Sequence, residues 1–227
     1  MIESLLQAFF PDVCIVCKRL LYEQEQHICL YCLHHMPRTD FFERKENDLF
    51  LRLANRIPIK SAQSLFYFHK KNDSQKLIHA IKYFPYDTRA YWFGAHMGKT
   101  WISQCNWKPD MVIPVPLHPK RQKERGYNQS EALAQGYASV VGSEVCTNAL
   151  LRKTHKSSQT KKGKDGRWDD IQGIYDANPA IDLSRKSIVL MDDIITTGST
   201  IEACGQLLSS MSATELHVYS LSVAVSL

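Results

Sequence analysis

Two adjacent carboxylates after an apolar run are the clearest chemical feature of the sequence. The run IVLM at 188–191 leads directly into Asp192 and Asp193, and a loop rich in hydroxyl side chains follows them. Because neighbouring like charges repel, such a pair needs a cation or hydrogen-bond donors opposite it. Vicinal hydroxyls of a sugar are donors of this kind. We therefore interpret the acid pair as a candidate catalytic and sugar-binding site.

The loop after the acid pair has the composition of a phosphate-binding turn. It reads TTGST at 196–200 and leads into an apolar pattern of helical period. Gly198 permits a positive φ and lets a ligand approach the backbone. The first amides of a helix are unpaired and carry a partial positive charge, so a helix start favours phosphate. The predicted phosphate-binding residues are Thr196, Thr197, Gly198, Ser199 and Thr200.

Predicted strands and helices alternate along most of the chain. The strand candidates are residues 64–69, 111–116, 187–191 and 216–226. One helical pattern follows Asp73 or Ser74 as its predicted cap, a second follows the predicted cap Asn128, and a third begins at Ser199. This alternation predicts an α/β fold with a mainly parallel sheet and helices on both faces. The acid pair then lies at the carboxyl end of a strand, where ligands bind in such sheets.

Four cysteines near the start have the spacing of a metal site. Cys14 and Cys17 form one C-x2-C pair, and eleven residues separate it from the second pair, Cys29 and Cys32. Four thiolates around one zinc leave no open position for water, so the predicted role is structural. About 35 residues bury too little apolar surface to fold alone, and zinc binding can supply the difference. A redox role for one pair is the alternative interpretation.

The remaining cysteines and the apolar runs indicate a reducing compartment. Seven cysteines are an odd number and no secretory signal is evident, which argues against a disulfide scaffold. Cys105, Cys146 and Cys204 are expected to be reduced and buried. No apolar run reaches about 18 residues, so we expect a cytoplasmic protein without membrane insertion.

Positive charge is concentrated between residues 118 and 167. This segment carries eleven Lys and Arg against four Asp and Glu, whereas the whole chain has a net charge of +5. Such a balance suits an anionic partner, either a polyphosphate sugar or a nucleic acid. A solvated loop is the alternative interpretation.

The segment GAHMGKT at 94–100 imitates a nucleotide-binding Walker A loop. Its spacing is one residue short, and a helical pattern precedes it instead of an apolar strand. We therefore expect no nucleoside triphosphate site there.

Several segments resemble those of known families. The apolar strand, DD, two residues and TTGST resemble the signature with which type I phosphoribosyltransferases bind phosphoribosyl pyrophosphate (PRPP). Residues 113–134 are similar to the PVP-x-H-x-x-R-x-x-x-RG-[FY]-NQ segment of the ComF family of competence-associated, phosphoribosyltransferase-like proteins. LIHAIKYFPY at 77–86 resembles that family's LI-x-x-x-KY element. The four-cysteine start also fits, so the resemblance covers nearly the whole chain.

The ComF resemblance implies a fold and a domain division. It implies a mainly parallel sheet of the type I phosphoribosyltransferase kind and a small N-terminal zinc module. A zinc-finger module with a short N-terminal helix is expected over residues 1–45, and a phosphoribosyltransferase-like domain over 46–227. The chain departs from the family in RWDDIQGIY at 167–175, where Asp170 replaces the usual Asn.

The resemblance also implies roles for single residues. Asp192 and Asp193 are expected to meet the ribose 2′- and 3′-hydroxyls, while the loop at 196–200 holds the 5′-phosphate. The turn at 117–120 is expected to form the pyrophosphate loop. The residues expected to bind the diphosphate are His118, Lys120, Arg121, Lys123 and Arg125. Mg²⁺ is expected with PRPP, in addition to the structural Zn²⁺.

Two functions follow from the resemblance. The first is phosphoribosyl transfer from PRPP, with Mg²⁺, to an acceptor that the sequence does not identify, in support of DNA uptake in natural competence. The second is a non-catalytic module that keeps PRPP or ribose 5-phosphate as a regulatory ligand. Such a module binds single-stranded DNA or proteins of the competence machinery, and Tyr127 and Trp168 are candidates for stacking on bases.

Overall fold

A five-stranded parallel sheet forms the centre of the molecule. The computed structural model describes residues 11–83, 88–153, 173–213 and 215–225 of the 227-residue chain. The strands are β1 (Ser61–Phe68), β2 (Met111–Pro114), β3 (Glu144–Val145), β4 (Leu150–Arg152), β5 (Tyr175–Ala177), β6 (Ser187–Ile195) and β7 (Glu215–Ala224). The sheet has the order β1-β7-β6-β2-β3, and each neighbouring pair is parallel. Strands β4 and β5 form a separate antiparallel pair.

Helices cover both faces of the sheet. In the described ranges they are α1 (Leu30–His35), α2 (Asp48–Ala54), α3 (Asp73–Tyr83), α4 (Thr88–Gln104), α5 (Pro119–Arg125), α6 (Gln129–Val141) and α7 (Ser199–Ser210). Helices α3, α4 and α6 contribute to one hydrophobic cluster, and α2 and α7 to the other. The predicted α/β fold class, with a mainly parallel sheet and a four-cysteine module, is confirmed.

The central strand β6 shows why the sheet needs helices on both faces. Val189 and Met191 lie in the cluster with α4 and α6, whereas Ile188 and Leu190 lie in the opposite cluster. Alternate residues of a strand face opposite sides, so a strand covered on both sides must be apolar at every position. All four side chains are fully buried. The uninterrupted apolar run in the sequence is the consequence.

The N-terminal cysteine segment packs into the same core as the sheet. Ile15, Ile28 and Met36 belong to the cluster that also contains Leu77 of α3 and Phe93 of α4. The division near residue 45 therefore stays a prediction, and a continuous apolar contact crosses it. Across the described ranges, no helix has both the length and the apolar character needed to span a membrane.

The strand that carries the acid pair extends further than the sequence predicts. The apolar run ends at 191, but the backbone of β6 pairs with β7 as far as Ile195 and Val223. The prediction ended the strand too early, because hydrogen bonds to a neighbouring strand do not depend on side-chain polarity. The acids thus lie on rigid strand backbone and not in a loop.

Two helix starts and the Walker-like segment test the local predictions. Neither Asp73 nor Ser74 caps α3; the side chain of Asn72 does, accepting a hydrogen bond from the Ser74 amide at 2.9 Å. The predicted cap of α6 is confirmed, since the Asn128 side chain accepts from the Ser130 amide. The segment at 94–100 lies inside α4 and forms no phosphate loop, as predicted.

Helices α4 and α6 approach each other through glycines. A Cβ atom at Gly136 would lie 1.9 Å from the carbonyl oxygen of Tyr91, and one at Gly94 would lie 2.1 Å from that of Leu133. Because real contacts are never so short, the two backbones must separate if either glycine gains a side chain. This contact sets the position of α6, whose first turn contributes to the cleft described below.

We predict that Gly136→Ala lowers the free energy of unfolding by about 2 kcal/mol or more, because the methyl group forces α4 and α6 apart. Urea denaturation followed by circular dichroism measures this change. Gly173→Ala is the matched control, since a Cβ there meets nothing within 4 Å in the part of the chain that the structure describes. Equal stability of the two variants would contradict the close helix contact.

Candidate functional site

The acid pair opens into a cleft at the carboxyl end of the sheet. The cleft has a volume of about 150 Å³, and strand β6, the first turns of α6 and α7 and the segment after β2 contribute to it. The Ser130 hydroxyl donates a hydrogen bond to Asp192 Oδ1 at 2.9 Å. The backbone amide of Asp193 donates to the same oxygen, also at 2.9 Å. One carboxylate is therefore held in place before any ligand binds.

The second carboxylate faces a lysine. Lys82 Nζ lies 3.1 Å from Asp193 Oδ2, and the two side chains are 20% and 11% exposed. Among the described residues, no group donates a hydrogen bond to this buried oxygen, so the contact is ionic in character. The oxygen itself is buried, and the ammonium of Lys82 lies beside it.

Burial and repulsion shift the titration of the first acid. Burial first, and then the adjacent charge of Asp193, raise the pKa of Asp192 from its ordinary value to about 7. The hydrogen bond from Ser130 and the charge of Lys82 oppose that increase in the pKa. Asp192 is therefore poised to change its protonation near neutral pH.

The loop at 196–200 has the geometry of a helix start that is open to an anion. Gly198 is the N-terminal cap of α7 with φ +85° and has no side chain to cap the first amides; the Ser199 amide donates a long hydrogen bond of 3.4 Å to Thr197 Oγ1. A Cβ atom at this position would lie 2.9 Å from Leu53 Cδ2, so only glycine fits both the backbone angle and the space. The hydroxyls of Thr197 and Ser199 lie 3.0 Å apart.

Two arginines, one in α2 and one just after it, contact the backbone of this loop. Arg52 Nη1 donates a hydrogen bond to the carbonyl oxygen of Thr196 at 2.8 Å. Arg56 Nη1 lies 3.4 Å from the carbonyl oxygen of Thr197 and 3.4 Å from Glu202 Oε2. These contacts direct the loop carbonyls towards α2, which leaves the amides for a ligand.

Only some of the predicted basic residues after β2 line the cleft. Arg121 and Arg125 line it, whereas His118 and Lys120 lie outside its lining. His118 instead caps α5, since its Nδ1 accepts from the Lys120 amide at 3.1 Å. Arg125 donates to Gln129 Oε1 at 2.7 Å, which ties the end of α5 to the start of α6.

Of the residues predicted from the sequence, the structure brings five into the lining of the cleft: Arg121, Arg125, Asp192, Asp193 and Thr200. The other loop residues precede Thr200 directly, outside the lining. The basic segment from 154 to 167, residues 167–172 of RWDDIQGIY, Trp168 and the predicted N-terminal helix lie outside the described residues.

Several residues that line the cleft were not predicted from the sequence. These are Lys82, Ser130, Arg152 and Tyr175. Arg152 Nη1 donates to the Tyr175 hydroxyl at 3.0 Å, while its Nε is buried without a partner in the described part of the chain. Burial raises the pKa of Tyr175 to about 12, so this phenol stays neutral. Lys82 belongs to the KY of LIHAIKYFPY, which was the one available signal.

The four N-terminal cysteines converge as a metal site requires. The Sγ atoms of Cys14, Cys17, Cys29 and Cys32 all lie within 4.8 Å of one another. In a tetrahedral zinc–thiolate site with bonds of about 2.3 Å, sulfur atoms lie about 3.8 Å apart. The distance from Cys17 Sγ to Cys29 Sγ is 3.8 Å. The cluster thus fits a structural metal such as zinc.

Polar contacts around the cysteines organise the turn between the two pairs. The carboxylate of Glu25 is buried and accepts hydrogen bonds from the amides of Tyr22 and Leu30 and from the guanidinium of Arg19. These hydrogen bonds, with the Tyr22 amide first, lower the pKa of Glu25. The amides of Cys29 and Cys32 donate to the sulfurs of Cys14 and Cys29. Such bonds orient metal ligands.

The three other cysteines are free. Cys146 and Cys204 are buried, as expected, whereas Cys105 is partly exposed.

Curated relatives match about half of the chain. Competence protein F of Haemophilus influenzae is 31% identical over 117 residues, which are 51% of each protein. Competence protein ComFC of Streptococcus pneumoniae is 29% identical over 115 residues, which are 51% of this chain and 49% of that protein. DNA utilization protein YhgH of Escherichia coli K12 is 27% identical over 113 residues, which are 50% of this chain and 49% of that protein.

The predicted resemblance to the ComF family is confirmed. The chain spans about half the length of the curated ComF-type relatives it matches. No protein-family model matches it.

Solved structures resemble part of the chain. An allosteric regulatory enzyme of purine biosynthesis has a TM-score of 0.41 and 22% identity, over 57% of this chain and 25% of that one. Glutamine PRPP amidotransferase from B. subtilis has a TM-score of 0.44 and 20% identity, over 63% and 30%. A purine phosphoribosyltransferase from Pyrococcus horikoshii has a TM-score of 0.38 and 19% identity, over 60% and 73%. These likenesses concern the fold alone.

We predict that the protein binds about one zinc ion per chain, and that Cys29→Ser lowers the metal content and the melting temperature by about 5 °C or more. Metal analysis and thermal unfolding under reducing conditions measure both quantities. Cys105→Ser is the control, because Cys105 lies outside the cluster, and it should keep its metal. Retention of metal by Cys29→Ser would contradict the four-thiolate site.

We predict that Asp192→Asn is more stable than the wild type at pH 8. The folded-state pKa of Asp192 is raised from 3.8 to about 7. The folded protein therefore binds more protons than the unfolded chain in this window, and its stability falls as pH rises from about 4 to about 7. The asparagine removes that loss. Urea denaturation between pH 4 and pH 8 measures the difference.

Asp182→Asn is the control with the opposite sign. Hydrogen bonds from Ser184 lower the pKa of Asp182, so its charge favours the folded state above the unfolded pKa. This substitution should not stabilise the protein at pH 8. If both variants changed the free energy of unfolding at pH 8 by the same amount, the folded state would not disfavour the charged form of Asp192.

Proposed function

We propose that the chain binds PRPP and acts as a phosphoribosyltransferase-like protein in DNA uptake. The proposal rests on the acid pair and the start of α7, which lie together at the end of one strand. The carboxylates of Asp192 and Asp193 face a cleft, and the start of α7 follows them within the same turn. An acceptor of hydroxyl hydrogen bonds beside a site for an anion matches the two ends of a ribose 5-phosphate unit.

The ribose is proposed to lie against the acid pair. Asp192 Oδ1 already accepts from Ser130, so its other oxygen is available to one hydroxyl. Asp193 Oδ2 is buried beside the ammonium of Lys82, so the other oxygen of Asp193 is proposed to meet the second hydroxyl. A carboxylate pair with one free acceptor on each member suits the 2′- and 3′-hydroxyls of one ring.

The two phosphate groups are proposed to lie on either side of the ribose. The amides of 198–200 and the hydroxyls of Thr197 and Ser199 would hold the 5′-phosphate. The diphosphate would extend towards α5, where Arg121 and Arg125 line the cleft. The volume of about 150 Å³ is below the range of about 300–1,000 Å³ usual for whole ligands, so the diphosphate would lie at the open mouth.

The proposed reaction breaks the bond between C1 of the ribose and the diphosphate. The diphosphate leaves with the electron pair, positive charge develops on C1 and the ring oxygen, and an acceptor nucleophile forms the new bond. The ionised acid pair stabilises that charge electrostatically. Arg121 and Arg125 would stabilise the leaving group. Mg²⁺, when bound to the diphosphate oxygens, would neutralise their charge.

The names of the relatives support the biological context. Competence protein F and DNA utilization protein YhgH match about half of this chain at 31% and 27% identity. We propose that this chain serves DNA uptake as well, with zinc as the metal of the four-cysteine module. The acceptor and the partners are part of this proposal.

A non-catalytic role is the second candidate. Lys82 already forms an ion pair with Asp193, and burial already raises the pKa of Asp192 to about 7. Such a pair can hold a sugar phosphate without turning it over. In this role, PRPP would regulate the binding of single-stranded DNA or of a competence protein.

We predict that Asp193→Asn weakens PRPP binding by about ten-fold or more, because hydrogen bonds to a charged acceptor contribute about 1.5–3 kcal/mol. Isothermal titration calorimetry at pH 8 with Mg²⁺ measures the affinity. Asp182→Asn, in an exposed loop outside the cleft, is the matched control. Unchanged affinity of Asp193→Asn would show that the acid pair does not face the ribose.

Release of diphosphate distinguishes the two candidate functions. PRPP is mixed with the protein, Mg²⁺ and a panel of nitrogenous bases and amines, and diphosphate is measured by a coupled assay. Release that depends on one acceptor supports the transferase. PRPP binding without release on any acceptor supports the regulatory role, and absence of PRPP binding contradicts both.

A further inference from the structure

Lys82 is fixed at the end of α3 rather than free in solvent. Its side chain is 20% exposed, and the residues on either side of it in the chain are held by a second segment. The Tyr127 hydroxyl donates a hydrogen bond to the carbonyl oxygen of Ile81. The guanidinium carbon of Arg125 lies 5.5 Å from the centroid of the Tyr83 ring. The turn around residue 126 therefore holds the last turn of α3 against the cleft.

The rest of α3 is anchored in the core. Leu77 and Ile81 are fully buried, and Ile78 is 5% exposed. All three belong to the cluster that contains the cysteine segment, α4 and α6. Because α3 and its last turn are already fixed, little further conformational entropy is lost when the Lys82 side chain is held in one place. The ammonium group of Lys82 is thus part of the site before a ligand arrives.

Several charged or titratable groups face the acid pair from the surrounding elements. They are Lys82 from α3, Arg121 and Arg125 from α5, Arg152 from β4 and Tyr175 from β5. Within the described residues, the ion-pair contact to the carboxylates comes from Lys82. Arg152 pairs with the Tyr175 hydroxyl and Arg125 with Gln129. Lys82 is therefore the cation placed to balance the two acids.

We propose that Lys82 supplies the cation at the ribose end of the cleft, so that ribose 5-phosphate binds there without a divalent metal ion. This inference rests on the proposed function. Because Lys82 lies at the charged oxygen of Asp193, the two acids can accept the ribose hydroxyls while one of their charges is balanced. A metal ion is then needed only where the diphosphate adds further negative charge. Lys82 acts as a positioning residue.

The test is a calorimetric titration of the full chain with ribose 5-phosphate, in EDTA and in Mg²⁺. For the wild type we expect the two affinities to agree within about two-fold. Lys82→Met should bind about ten-fold more weakly in EDTA, because the positive charge that balances the acid pair beside an anionic ligand is lost. Added Mg²⁺ should restore part of that loss, because it replaces the missing positive charge.

Two further variants separate charge from structure. Lys82→Arg keeps the cation and should keep metal-independent binding. Lys76→Met removes a lysine from the same helix, where it pairs with Asp73 on the surface at 2.9 Å, and should bind as the wild type does. Circular dichroism and urea denaturation show whether each variant is folded.

The affinity for ribose 5-phosphate, measured as a function of pH, distinguishes a charge effect of Lys82 from a purely structural one. The charge of Lys82 lowers the pKa of Asp192, so removing the ammonium raises that pKa. The affinity of Lys82→Met should therefore rise with pH to a midpoint at higher pH than that of the wild type. Damage to the fold would instead lower the affinity by the same factor at every pH.

Two results would overturn the inference and leave the proposed function standing. One is loss of ribose 5-phosphate binding by the wild type in EDTA with recovery in Mg²⁺. The other is an unchanged affinity and pH profile in Lys82→Met. Absence of binding by the wild type under both conditions would instead contradict the proposed function itself.

Discussion

The structure depends on placing two like charges side by side at the end of a buried strand. Ladder hydrogen bonds to β7 hold the backbone of Asp192 and Asp193 in β6, so neither acid can move away from the other. Three groups offset the unfavourable free energy of burying these two charges together: the Ser130 hydroxyl, the amide of Asp193 and the ammonium of Lys82. A site that holds unfavourable charge in this way is typical of function and not of stability.

The surrounding elements position the groups that offset this cost. Close glycine contacts with α4 place α6, and thereby Ser130, over the strand end. The turn between α5 and α6 holds the last turn of α3, which carries Lys82. On the other face, Arg52 holds the loop carbonyl of Thr196, so the phosphate-binding turn is supported by α2. Both faces of the sheet thus contribute to one cleft.

Local patterns in the sequence predicted the parts of the site that are contiguous in the chain. The IVLM run, the acid pair and the TTGST turn lie within one strand–turn–helix unit, and C-x2-C spacing alone brings four thiols together. The apolar runs and helical periods likewise predicted the parallel sheet. The strand end at Ile195 was missed because backbone pairing, and not side-chain polarity, determines it.

Contacts between distant segments could not be predicted in the same way. Lys82 and Asp193 are separated by more than a hundred residues, and nothing in either local pattern indicates their distance of 3.1 Å. Arg152 reaches the cleft only because β4 pairs with β5 and its guanidinium meets Tyr175. His118 and Lys120 were predicted to bind the diphosphate, and they lie at the start of α5 outside the lining of the cleft.

A crystal structure with ribose 5-phosphate shows whether the sugar phosphate binds between the acid pair and the start of α7. We predict density for one sugar phosphate in the cleft, with the ribose hydroxyls within hydrogen-bond distance of Asp192 and Asp193. We also predict the phosphate at the amides of 198–200. Density at another part of the surface, or a reversed ligand with its phosphate beside the carboxylates, would contradict this prediction.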